Sequence, residues 1–470
     1  MLNFNKFKIS LITILVFFAL SISALFSGTI YTNRDKESKE NNQSEQLQAK
    51  TYRGVFDVQK NTVSNIDFYT TNYGIFGFDI ARQRGGGYWP RGSQNQYIFA
   101  GGFWFGAQKY RKNIGDTVSL VTLSYNPWSG KGWFVPGRIN IGGPFSTAYP
   151  DVDLVDQNDP LLYRTYFSID FKAATGEPID PDHKYNWPIW DASKNVEDTL
   201  KNKRYFGYYI PQTELRNTTQ FSKGPAFISG EDIFSTYKDT DLNYYEGGVA
   251  TRRERGYPMR LQVEQMIYSW GFGDYRDFIF LKYEITNYSR DTLWNCWLAP
   301  VMDVDIARAT SSGFGAGNDR VKFYDCYGGD TLNMAVQWTN TDRNEYGYGF
   351  GYLGFDFLES PAVVKYYDTT YKEIKDSQGN VIGIDTILTR RLWDPVKDGP
   401  DAPRDNFVRK DSAFYANSSQ LGLVTFNNWP IEQDKQTDDE RYAFMSAGIR
   451  QGDDGPGDKR FMMATGPFHM

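Results

Sequence analysis

The sequence predicts an all-β protein, an antiparallel β-sandwich of the immunoglobulin-like or a related kind, with long loops and at most one or two short helices. Three observations predict it. Aromatic residues make up 17% of the chain and glycine is plentiful at 44 residues, the pairing expected where half-buried strands alternate with tight turns. Period-two patterning is clear, above all in residues 278–286, where Ile279, Leu281, Tyr283 and Ile285 fall on one face and Phe280, Lys282, Glu284 and Thr286 on the other. No long stretch keeps a helical apolar period free of glycine or proline.

Taken from the start, residues 1–28 read as a signal peptide or an anchor. Lys6 and Lys8 form a positive opening, 9–26 is largely apolar, and Ser21, Ser23 and Ala24 offer small residues for cleavage. An uncleaved anchor is the competing reading, because the run nearly reaches the ~20 apolar residues of a membrane span. Either way the rest of the chain is expected to be exported to the periplasm, the cell surface or the medium. Membrane contact is expected only through this segment, if it is uncleaved. Residues 29–50 are polar and charged and cannot bury enough surface to offset their ordering entropy, so they read as a linker.

Residues 51–225 form a glycine- and aromatic-rich β region with long loops, and residues 226–470 a second β region. In the first, Gly85-Gly86-Gly87 and Gly101-Gly102 mark turns or bulges, and 151–203 is irregular, with one short helix expected around 192–203. In the second, the strand at 278–286 is followed by a polar turn, 287–291, and a returning strand at 292–301, which together predict a hairpin. Further strands are expected around 332–338, 362–368, 381–389 and 421–427, and 394–406, with three prolines and no apolar run, is loop.

Charge and composition narrow the function. The net charge of −6 and the scarcity of basic clusters, Arg252, Arg253 and Arg255 being the densest, argue against a nucleic-acid partner. With only His183 and His469, a Ser-His-Asp or Cys-His arrangement has almost nothing to draw on, and no catalytic residue is assigned. The two cysteines, Cys296 and Cys326, could pair in an oxidising compartment or remain separate thiols.

Hard-cation ligands are better represented. Asp239, Asp241 and Asn243 have the first three spacings of a calcium loop, though without glycine at the sixth place or glutamate at the twelfth. Asp151, Asp153, Asp156 and Asp159 form another acidic group, and Asp303 with Asp305 a third. No cofactor is fixed by the sequence; calcium is the one these residues could hold, with Asp239, Asp241 and Asn243 its first candidate ligands, and acidic loops that are simply solvated are the competing reading. Trp89, Trp104, Trp128 and Trp133 could stack on sugar rings, but alternating strand positions more often serve the core.

The order of these pieces resembles a group of secreted, β-rich surface proteins of Gram-negative bacteria that use the type IX secretion system. The matching stretches are the glycine-rich turn with Tyr97-Ile98-Phe99-Ala100-Gly101-Gly102-Phe103-Trp104, and Glu231-Asp232-Ile233-Phe234 through Asp241. The others are Phe280 to Asn287, Asp291 to Leu293, Asp303 with Asp305, and Met463 to Phe468. Proteins of that group continue into a sorting domain, whereas this chain stops at Met470, so a truncated frame or a lost tail is expected. The resemblance implies an exported, non-catalytic structural or binding protein, with surface glycans or other envelope proteins as partners. A carbohydrate-active enzyme or carbohydrate-binding module is the alternative.

Overall fold

The period-two stretches do form strands. The computed structural model describes residues 55–139, 160–173, 175–188, 227–245, 248–289, 291–309, 315–327, 330–340, 342–402, 404–408, 418–453 and 455–470. The predicted leader and linker, the acidic group beginning at Asp151 and the helix expected around 192–203 lie outside the described residues. Within them the chain is all-β in class, with two short α-helices, Val249–Arg255 and Asp438–Met445. Among the described residues no helix is long and apolar enough to cross a membrane.

Pairing between the strands is antiparallel, in small sheets of two to five strands. This partition is finer than the two facing sheets of an immunoglobulin-like sandwich. Its cause is the punctuation seen in the sequence. Glycine and polar turns cut the first region into pieces as short as Phe78–Asp79, Arg84–Gly85 and Gly87–Tyr88, too short to build one wide sheet.

The chain divides into two compact units, each drawn from separated segments. The first comprises the chain up to Ala100, Ser124–Val249 and Arg260–Tyr288. Its main sheet runs Tyr166–Phe167, Glu231–Lys238, Leu261–Ser269 and Ile279–Asn287, with Val135–Pro136 also on the second of these. Glu231–Lys238 is buried along its whole length. Its first carboxylate is accommodated because Glu231 accepts hydrogen bonds from the Thr62 amide and hydroxyl, both 2.7 Å.

The second unit comprises Gly101–Leu123, Ala250–Met259 and Ser289–Met470. Its five-stranded sheet has the order Thr425–Pro430, Lys459–Phe468, Trp294–Asp303, Ala100–Arg111 and Asp116–Leu123. The helix Asp438–Met445 starts with a reciprocal cap between Thr437 and Glu440. It can approach the sheet because residue 106 is glycine: a Cβ there would stand 3.1 Å from Tyr442 and 3.3 Å from Met445 Sδ.

One pairing differs from expectation. Both strands on either side of the 287–291 turn exist, as Ile279–Asn287 and Trp294–Asp303, but they do not form a hairpin. Ile279–Asn287 pairs with Leu261–Ser269, and Trp294–Asp303 with Lys459–Phe468. The backbone on each side of the turn is already committed: the Tyr288 amide donates to Arg260, and Leu293 and Met470 exchange both of their hydrogen bonds. The turn hands the chain from one sheet to another. The remaining expected strands appear at Asp330–Thr339, Ala362–Val364, Tyr366–Lys375, Val381–Arg391 and Thr425–Pro430, while the described residues of 394–406 are turn and coil.

Candidate metal centre

The facing ends of two neighbouring strands bring a carboxylate cluster together in the second unit. Asp303 ends the strand Trp294–Asp303 and is the register partner of Arg460. Asp305 comes two residues after Asp303 and Asp458 two residues before Arg460, both just outside the paired strands. One oxygen each of Asp303, Asp305 and Asp458 lies within 4.8 Å of the other two. Calcium–oxygen bonds of about 2.4 Å let a single ion span oxygens up to about 4.8 Å apart. The three carboxylates are thus placed to share a hard cation.

The surroundings make that placement costly without a counter-charge. Asp303 and Asp305 are buried, at 2% and 7% exposure. Asp319 is fully buried and lies against the same corner: the Gly457 amide donates to its backbone carbonyl, and its Oδ2 accepts from the Ile306 amide at 2.9 Å. The Gln337 amide donates to the same Oδ2 at 3.3 Å and to the Val304 carbonyl at 2.8 Å. The other oxygen of Asp319, Oδ1, is buried with no hydrogen-bond partner, as is Oδ1 of Asp458. Arg460 faces this group, with Nη2 3.1 Å from Asp303, Nη1 3.7 Å from Asp458 and Nε 3.6 Å from Asp434. Arg441 adds positive charge near Asp434.

Five carboxylates against these two guanidiniums leave an excess of negative charge in a low-dielectric corner, and the acidities respond. Burial first, then the charges of Asp303, Asp458 and Asp319, hold Asp305 well above the usual carboxylate range. Burial likewise pushes Asp319 up to about 8 and raises Asp434 and Asp458. Such a group is stable when it takes up protons or when it holds a cation.

In the expected calcium loop the carboxylates make local hydrogen bonds. Asp239 is buried and its carboxylate accepts from the Leu261 amide at 2.7 Å and the Tyr245 hydroxyl at 3.4 Å. Asp241 accepts from both the backbone and the side-chain nitrogen of Asn243, at 3.1 and 3.2 Å. The group of three carboxylates whose oxygens converge is the one at Asp303, Asp305 and Asp458. Of its members the sequence singled out Asp303 and Asp305. Asp458 was missed, and its one local signal is the Asp458-x-Arg460 alternation at the entry to an apolar strand.

Cys296 and Cys326 are both free thiols, the first buried and the second exposed. Burial pushes the Cys296 thiol up, which leaves it unreactive. His183 is exposed on a loop, its Nδ1 2.9 Å from the Tyr185 carbonyl. Of the four tryptophans considered for sugar stacking, Trp104 and Trp133 are fully buried core, whereas Trp89 and Trp128 are 39% and 61% exposed.

No family model, curated protein or solved structure matches the chain.

Proposed function

We propose that the chain is an exported, non-catalytic structural or binding protein of the cell surface or exterior. In this reading calcium at Asp303, Asp305 and Asp458 ties two strands of its second unit together. The carboxylate cluster carries the reading. Its oxygens are hard ligands, two of its members, Asp303 and Asp305, are buried and the third, Asp458, is partly exposed, so a held ion would join the two strand ends. Calcium suits the compartment, since extracellular modules bind it at about 0.1–1 mM. Type IX surface proteins remain the kind of protein that the chain resembles.

Export is tested by fusing, behind residue 50, a phosphatase that folds only after crossing the inner membrane. The fusion is expected to be active in intact cells. An inactive fusion retained in the cytosol would contradict this reading.

A further inference from the structure

The main sheet of the first unit has two very different edges. One is the two-residue strand Tyr166–Phe167. The other is Ile279–Asn287, nine residues long and in unbroken register with Leu261–Ser269. Among the described residues no further strand pairs with it. It contains neither a proline nor a bulge. A long, regular edge is a template for another strand unless proline, a bulge, charge or a covering segment blunts it.

The side chains show the same edge. Val263 and Ile267 on the inner strand are fully buried, yet their register partners Ile285 and Leu281 stay partly exposed. Alternation places Phe280, Lys282, Glu284 and Thr286 on the opposite face, where Lys282 and Glu284 are exposed. A lysine on an edge normally discourages an incoming strand. Here it stands one residue from Tyr283 on one side, and a glutamate stands one residue from Tyr283 on the other.

We infer that Ile279–Asn287 pairs antiparallel with the same strand of a second copy of the chain, about a two-fold axis at Tyr283. The strand is its own complement in that register. Lys282 lies opposite the partner's Glu284, and Glu284 opposite the partner's Lys282, so opposite charges meet twice. Leu281 lies opposite the partner's Ile285, which covers the two partly exposed aliphatic side chains, and Phe280 lies opposite the partner's Thr286. Moving the axis by one residue would set Lys282 against itself in one direction and Glu284 against itself in the other. Charge therefore selects this register over its neighbours. A contact that uses the same patch on both copies closes as a dimer. A foreign strand would need the same lysine and glutamate order to gain as much, and a second copy always carries it. The pairing goes beyond the reading of the chain as an exported protein and needs no calcium, whose candidate ligands belong to the other unit.

Sedimentation equilibrium of the full chain in calcium-containing buffer is the test, and a reversible monomer–dimer equilibrium is expected. Lys282→Glu alone, or Glu284→Lys alone, turns both cross-strand pairs into like charges and should weaken dimerisation about tenfold or more. The two substitutions together exchange the charges and should restore it. Both side chains are exposed, so the melting curves of the monomeric single variants are expected to stay close to that of the parent. A chain that remains monomeric, a dimer that the single substitutions leave unchanged, or a double variant as weak as the singles would overturn the inference. A foreign polypeptide bound along this edge in place of a second copy would overturn it as well. None of these results bears on the export assay, so the two readings fail separately.

Discussion

Replacing Arg460 by methionine is expected to destabilise the chain by about 3–5 kcal/mol in the presence of a chelator. The guanidinium is almost fully enclosed, and it is the group that faces Asp303, Asp434 and Asp458 together. Methionine preserves much of the volume but leaves buried carboxylates without their cation, and the penalty is the desolvation of those charges. Denaturant unfolding followed by tryptophan fluorescence measures it. Added calcium should restore part of the loss, because the ion neutralises the same oxygens. A change below about 1 kcal/mol would mean that the cluster already carries its protons and does not depend on the guanidinium.

The second large effect concerns pH. Asp319 has its acidity shifted upward, to about 8, by burial. A carboxyl whose folded value is raised contributes stability that is fully present below its unfolded value, near 4, and is lost as pH rises through the folded value. The metal-free chain should therefore be less stable at pH 9 than at pH 5, by on the order of 4 kcal/mol from this group. Asp319→Asn keeps an oxygen for the Ile306 amide and cannot ionise, so it should flatten the profile between those limits. Equal slopes for the two proteins in chelator would remove Asp319 as the cause.

Much of the architecture was legible because it is local. The alternation in 279–287, the proline-rich loop at 394–406 and the strands at 330–339 and 381–391 each follow from short-range pattern. What was not legible is which strand pairs with which. The polar run 287–291 looks like a hairpin turn, yet the neighbouring amides bond elsewhere, to Arg260 and Met470.

The same limit governed the site. Asp239, Asp241 and Asn243 drew attention because ligand spacing is visible in one segment, but short polar side chains at that spacing also build turns. The stronger cluster joins Asp303 and Asp305 to Asp458 across a pairing of strands more than 150 residues apart, which no local pattern encodes. Aromatic residues divided in a similar way. Trp104 and Trp133 entered the core and Trp89 did not, a choice made by the neighbours of each strand and not by residue type.

Calorimetric titration of calcium into the chelator-treated chain at pH 7.5 is the most direct test of the claim that Asp303, Asp305 and Asp458 hold an ion. We expect one ion per chain, a dissociation constant of about 1 mM or tighter, a raised melting temperature, and loss of all three in Asp305→Asn with Asp458→Asn. A titration without saturable heat and a melting curve indifferent to calcium would contradict it.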